Sequence, residues 1–209
     1  MRAARWTLAI LTPLSAWLLV GCGAHPAGSP AGADSTAQTR AADTSRTAEP
    51  SLHELSFAFT DAEGHVRHLG EFRGQPFVAS MIYTHCTSVC PRITADLQAL
   101  DRALPADVQA RTRFVLFSLD PARDTPAALR AFAREHHLDP ERWTLLAAGA
   151  DDMRTLAAVL DVRFRPDAGG EIAHSAVIVV VDRAGVIRYR QVGLTDDHFP
   201  LVAAVRAVE

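Results

Sequence analysis

Two cysteines carry the first chemical signal in this chain. Cys86 and Cys90 stand in the run Tyr83-Thr84-His85-Cys86-Thr87-Ser88-Val89-Cys90-Pro91, with three residues between them and a proline directly after. A continuous apolar stretch, residues 77–82, precedes the run and a stretch of helical periodicity follows it, so both thiols are expected at a strand-to-helix junction. The unpaired N–H groups of a helix start favour anions and lower a thiol's pKa. Only the thiolate attacks disulfides or binds soft metal ions.

Three fates are open to such a pair: a structural disulfide, a redox couple or a metal site. A structural disulfide across so short a loop stabilises little, because loop-closure stabilisation grows with loop length. A thioredoxin-type centre normally has two residues between its cysteines where this chain has three, a departure that still permits a reversible disulfide. A peroxiredoxin-type site wants Pro-x-x-x-Thr-x-x-Cys. Tyr83 stands in the threonine's place for Cys86 and in the proline's place for Cys90, so neither cysteine fits.

A metal site needs at least one more ligand, and His174 is the candidate. It follows Gly169-Gly170-Glu171-Ile172-Ala173 and directly precedes an apolar strand over residues 176–181, where a flexible Gly-Gly loop can deliver an imidazole to thiols on a neighbouring strand. Two thiolates and one imidazole form a soft, low-coordinate set that suits copper in both oxidation states, Cu(I) and Cu(II). A closed structural zinc site usually wants a fourth ligand. His85, beside Cys86, is a further residue that could ligate or tune the thiol.

The elements that must position these residues read as an alternation of strands and helices. Leu55, Phe57 and Phe59 alternate with polar or small residues, and Glu63-Gly64 turns into residues 65–69, an opening hairpin. After the thiol loop, Pro91 suits the first helical position, and Ile93, Leu97, Leu100 and Leu104 form a helical stripe ended by Pro105. Residues 114–117 read as a strand covered on both faces. Thr125-Pro126 starts a helix with Leu129, Phe132 and Ala133 on its buried side. Residues 143–146 form a short strand, Asp151 or Asp152 starts another helix, and residues 176–181 and 186–192 flank the turn Asp182-Arg183-Ala184-Gly185. A helix over residues 198–208 closes the chain. This pattern predicts an α/β fold, a thioredoxin-like three-layer sandwich with an N-terminal β-hairpin.

Ahead of this domain, expected over residues 52–209, the composition changes twice. Residues 1–21 carry Arg2 and Arg5 and then an apolar run, the pattern of an export signal. The run ends in Leu19-Val20-Gly21-Cys22, which resembles the bacterial lipoprotein box, so cleavage before Cys22 and lipidation of its sulfur are expected. Residues 22–51 are rich in Ala, Gly, Ser, Thr and Pro, a composition expected to form a flexible tether. Lipidation of Cys22 leaves Cys86 and Cys90 as the thiol pair of an oxidising compartment. The formal charge of -3 becomes -5 without Arg2 and Arg5, and no basic excess supports nucleic-acid binding.

The run Tyr83-Thr84-His85-Cys86-x-x-x-Cys90-Pro91, the later Ser118-Leu119-Asp120-Pro121-Ala122-Arg123-Asp124-Thr125-Pro126 and the distal His174-Ser175 together resemble the Sco/SenC family, over roughly residues 52–208. The resemblance implies a membrane-tethered domain of the bacterial cell envelope, facing the periplasm, that binds copper through Cys86, Cys90 and His174. It implies delivery of that copper to the CuA centre of cytochrome c oxidase subunit II or another copper-receiving membrane protein, or prior reduction of the recipient's cysteines, with thiol reductants restoring the pair. The chain departs from the family in Thr87-Ser88, where many members carry Pro-Asp, and in Ala173, where an Asp often precedes the histidine. Two function classes follow: a copper metallochaperone, or a periplasmic thiol:disulfide oxidoreductase in which Cys86 and Cys90 are the catalytic pair. A purely structural lipoprotein would leave the pair oxidised and His174 dispensable. Within the Asp120–Pro126 segment, an ion pair between Arg123 and Asp124 is expected to fix the loop, and Asp120 to approach the site.

Overall fold

The strand that leads to the thiols, β3 (Phe77–Ile82), is buried at all six of its positions. Successive side chains of a strand point to opposite faces, so complete burial requires cover on both sides of the sheet. The computed structural model describes residues 50–209; the expected leader, Cys22 and all but the last two residues of the expected tether lie outside the described residues.

β3 is an interior strand of a seven-stranded sheet. On one side it pairs in parallel with β4 (Arg113–Ser118), which pairs in parallel with β5 (Trp143–Ala147). On the other side it pairs antiparallel with β8 (Val177–Val181), and β8 with β9 (Ile187–Val192). A small hairpin of β1 (Phe59–Asp61) and β2 (Val66–Arg67) joins the β5 edge. β4 and β8 are almost wholly buried, while β9 alternates between half-buried and exposed positions, as an outer strand with one solvated face does.

The helices cover the sheet through their apolar stripes. The helix α1 (Val89–Ala103) buries Cys90, Ile93, Leu97 and Leu100 and packs against β3 and the last helix, α5 (Phe199–Ala207). The short α2 (Ala106–Arg111) follows α1. The helix α3 (Pro126–Glu135) packs against β1 and β5, and α4 (Ala150–Leu160) buries Met153, Leu156, Ala157 and Leu160. Thr125 caps α3 as expected: its hydroxyl accepts from the Ala128 N–H at 3.3 Å. The fold is the expected thioredoxin-like α/β sandwich with a hairpin at its start.

Four local details differ from the sequence reading. Leu55 and Phe57 lie outside the strand, because pairing with β2 and β5 begins only at Phe59. Pro91 is the third residue of α1, where its missing N–H still falls among the helix's unpartnered donors. Pro105 ends α1 but also precedes α2, whose short length and single buried residue, Val108, give no periodicity to read. The stretch before β8 is a second hairpin, β6 (Phe164–Pro166) with β7 (Ile172–His174), and it forms its own two-stranded sheet.

Leu97 has no solvent exposure and fills the seam between α1 and the sheet. Leu97→Ala is expected to lower the free energy of unfolding by about 2–5 kcal/mol, read as a lower urea midpoint. A midpoint equal to wild type would contradict the packing described here.

Candidate metal centre

β3 delivers the thiols. After Ile82 the chain turns back, with the Cys86 N–H donating to the Tyr83 carbonyl at 3.2 Å. Helix α1 then starts at Val89, and the Cys90 N–H in its first turn donates to the Cys86 sulfur at 3.3 Å. Cys86 therefore receives the anion-favouring end of a helix, the position that stabilises a thiolate.

The opposite partner arrives from the other side of β3. Because β8 runs antiparallel to β3, its first residues lie at the end of β3 that opens into the thiol loop. His174, the last residue of β7, lies three residues before β8 and reaches the same place. The Sγ of Cys86, the Sγ of Cys90 and a ring nitrogen of His174 all lie within 4.8 Å of one another. Cys90 Sγ lies 3.3 Å from His174 Nε2.

The hydrogen bonds assign protons. His174 Nδ1 lies 3.1 Å from the Ser175 carbonyl oxygen, which can only accept, so Nδ1 carries the proton and Nε2 presents its lone pair to Cys90. Burial holds the His174 pKa below its ordinary value, against the opposing pull of the Ser175 carbonyl, and keeps the ring in the neutral form that ligates metals. The two thiols are driven apart. Burial raises the pKa of Cys86, but hydrogen bonds from the Cys90 thiol and from the Cys90 and Ser88 N–H groups outweigh it, and the net shift is downward. Burial pushes the Cys90 thiol up, and its neighbour Cys86 adds to the rise. Without metal, Cys86 is thus the more acidic thiol of the pair and Cys90 the one that holds its proton more tightly.

The geometry passes the test for a shared ion. Ions of this size sit about 2.0–2.3 Å from nitrogen and sulfur ligands, so two ligands of one ion are at most about 4.6 Å apart. The present set closes to that limit with shifts of tenths of an ångström. Two sulfurs and one neutral imidazole, largely shielded from water, make a soft donor set of three.

Other residues singled out in the sequence take different places. His85 has a side chain 51% exposed and donates through Nδ1 to the Thr84 hydroxyl, with Asp124 beyond at 3.7 Å; it does not belong to the ligand set. The expected Arg123–Asp124 ion pair does not form. Arg123 pairs with Asp120 instead, and its other end donates to the Gly170 carbonyl, while Asp120 stays outside the ligand set. Asp124 is buried and accepts from the Ser118 hydroxyl at 2.6 Å, the Thr84 hydroxyl at 2.6 Å and the Thr84 N–H at 3.2 Å. The segment does fix a loop, but it does so by tying the thiol loop to the end of β4. Neutral hydroxyl and amide donors satisfy a buried carboxylate there, where Arg123 remains half in solvent.

Two residues escaped the sequence reading. Tyr83 donates its hydroxyl to Glu171 at 2.7 Å and accepts from the Ile172 N–H at 3.2 Å, and its ring lies edge-on to His174 with centroids 6.0 Å apart. A usable signal was present: apolar residues at 164 and 172 flank the Gly169-Gly170 pair, a hairpin pattern, and the one aromatic residue beside the thiol loop carries a polar tip.

Comparison with known proteins agrees with this construction. The SCO1/SenC family model matches residues 45–207. The SCO1 protein homolog of Bacillus subtilis (strain 168) is 25% identical over 146 residues, which cover 66% of this chain and 74% of that protein. Among solved structures, Bradyrhizobium japonicum ScoI with copper bound superposes with a TM-score of 0.62 at 24% identity, covering 73% of this chain and 97% of that one. BsSco, described as a Sco-family cytochrome c oxidase assembly protein with a disulfide switch, gives a TM-score of 0.65 at 21% identity over 77% of this chain and 94% of its own. At these identities the solved structures establish the shared fold. With most of its length matched by the family model, and with the fold and the cysteine–histidine cluster in place, the chain belongs to the SCO1/SenC family.

Proposed function

We propose that this protein is a copper metallochaperone, tethered to the bacterial envelope membrane through Cys22, that assists assembly of a CuA-type copper site in cytochrome c oxidase. The observation that carries the reading is the convergence of Cys86, Cys90 and His174 within 4.8 Å. Their softness suits Cu(I), and the imidazole allows Cu(II) as well. Family membership and the copper held by Bradyrhizobium japonicum ScoI support copper as the cargo. The description of BsSco as a member of a family of cytochrome c oxidase assembly proteins supports the recipient. No helix among the described residues is long and apolar enough to cross a membrane, so the tether is proposed from residues 19–22 alone. A three-ligand site suits transfer, since an ion with so few ligands can take an incoming thiolate or imidazole before the first ligands leave.

A second reading rests on the opposed thiols. In a thiol:disulfide exchange the Cys86 thiolate attacks a partner disulfide, forms a mixed disulfide and expels one partner thiolate. Cys90 then loses its proton towards His174 Nε2 and attacks the Cys86 sulfur. The Cys86–Cys90 disulfide forms and the second partner thiolate leaves. The partner gains two electrons, and a thiol reductant must return two to this pair. The two activities share one site and exclude each other at any moment, because the oxidised pair offers no thiolate to copper.

Anaerobic titration of the full-length reduced protein with Cu(I) is expected to saturate at one ion per chain. His174→Ala should weaken binding by at least about tenfold while both thiols remain titratable. A reduced wild type that binds no copper, yet reduces a partner disulfide with or without His174, would overturn the chaperone reading. In metal-free reduced protein, alkylation by iodoacetamide should modify Cys86 first, with a half-maximal rate below the ordinary thiol pKa of 9.0. Cys90 should stay unreactive over the same range, since its shift is upward. Prior labelling of Cys90, read by peptide mass, would reverse the assignment of the attacking thiol.

A further inference from the structure

His174 is carried by a hairpin that the main sheet does not hold. β6 and β7 pair only with each other, Phe164 opposite His174 and Pro166 opposite Ile172, and neither strand joins the seven-stranded sheet. Local bonds shape the hairpin itself: the carboxylate of Asp167 accepts from the Gly169 and Glu171 N–H groups, and Gly170 turns with φ +82°. None of these bonds says where the hairpin sits relative to Cys86 and Cys90. That position depends on contacts between the hairpin and the body of the domain.

Besides the buried Ile172 side chain and the Cys90–His174 contact within the site itself, two polar fasteners reach across. At the tip, Arg123 donates to the Gly170 carbonyl. Beside it, where the turn enters β7 and three residues from His174, the Tyr83 hydroxyl donates to Glu171 at 2.7 Å and accepts from the Ile172 N–H at 3.2 Å. Tyr83 directly follows β3 and opens the turn that holds Cys86. One side chain therefore bridges both halves of the ligand set, attached to the thiols by the chain and to the hairpin that carries the histidine by two hydrogen bonds. Its ring also packs edge-on against the imidazole. Tyr83 is itself almost wholly buried, whereas Glu171 is exposed. The bond between them is part-buried, and its exposed end, Glu171, is the one a docking partner can reach.

We propose that Tyr83 and Glu171 form a latch that presents His174 to the two thiols and sets how long copper is retained. Both are positioning residues and neither is a ligand. With the latch closed, the hairpin holds Nε2 beside Cys90. When Glu171 is drawn away by a partner's donor, Tyr83 loses its acceptor, the hairpin loosens where its turn enters β7, and the imidazole is the first ligand to leave. This inference rests on the copper reading above for its consequence and on the hydrogen bonds for its geometry.

The test has a metal-free arm and a copper arm, both on full-length reduced protein. Tyr83→Phe keeps the ring and removes both hydrogen bonds; Glu171→Ala removes the acceptor; Glu171→Gln keeps a side-chain oxygen that can accept. Without metal, amide hydrogen exchange at Ile172 should accelerate about tenfold in Tyr83→Phe and in Glu171→Ala, with β3 and β8 unchanged. With copper, release to a Cu(I) chelator should accelerate about tenfold in the same two variants, and Glu171→Gln should restore most of the wild-type rate in both arms. The Cu(II) form should show an altered sulfur-to-copper charge-transfer band in Tyr83→Phe, a signature that loss of stability alone does not produce. If Tyr83→Phe still binds copper through His174 with unchanged exchange and unchanged release, the latch is wrong and the chaperone reading stands. If wild type binds no copper, the chaperone reading fails and the proposed control of retention fails with it.

Discussion

The antiparallel pairing of β8 with β3 is the constraint on which the site depends. Val181 lies opposite Phe77 and Ile178 opposite Ser80, so the start of β8 meets the end of β3. The Ser80 hydroxyl reinforces this register by donating to the Val177 carbonyl at 2.7 Å, inside the core. A parallel β8 would put its first residue at the far end of β3, about 17 Å away at roughly 3.3 Å per residue. No hairpin of the length seen here could then return His174 to the thiols. The pairing exists because both strands are continuously apolar and both are buried on two faces.

Around that pairing, the polar residues act as ties between segments. The Asp124 carboxylate joins the end of β4 to the thiol loop through Ser118 and Thr84, and Tyr83 joins the end of β3 to the histidine hairpin. Each tie has one buried partner, where an unmatched polar group is costly, so each specifies a single arrangement of otherwise irregular chain. The thiols themselves gain opposite characters from the same burial. The helix start and the surrounding donors make Cys86 the more acidic thiol, while Cys90, deeper and next to a neutral imidazole, holds its proton more tightly.

Much of this architecture was readable from residue order. The apolar runs over β3, β4 and β8, the helical stripe of α1 and the Thr125-Pro126 start of α3 each have one dominant local explanation, and each formed where expected. The turn Asp182-Arg183-Ala184-Gly185 likewise joins β8 and β9, with Gly185 at φ +83° as such a turn requires. Short elements were harder to read. β6, β7 and α2 are three to six residues long, too short for a period to stand out from loop composition. The partner of Arg123 was misjudged for a different reason: Asp120 and Asp124 are both near it in sequence, and only the direction of the chain decides which one faces it.

The sequence by itself determined the chemical inventory: two thiols at a strand-to-helix junction, a distal histidine ahead of an apolar strand, and the alternation of strands and helices that makes a thioredoxin-like sandwich. These are local properties, set by residue type and by spacing within about fifteen positions. The tertiary structure alone decided the rest. The separation of His174 from Cys90 is 84 residues along the chain and 3.3 Å in space, a relation that no local pattern encodes. Which thiol ionises, which imidazole nitrogen carries the proton and which side chain holds the histidine hairpin in place all depend on burial and on donors from distant segments. Those quantities come into being only when the sheet closes around β3.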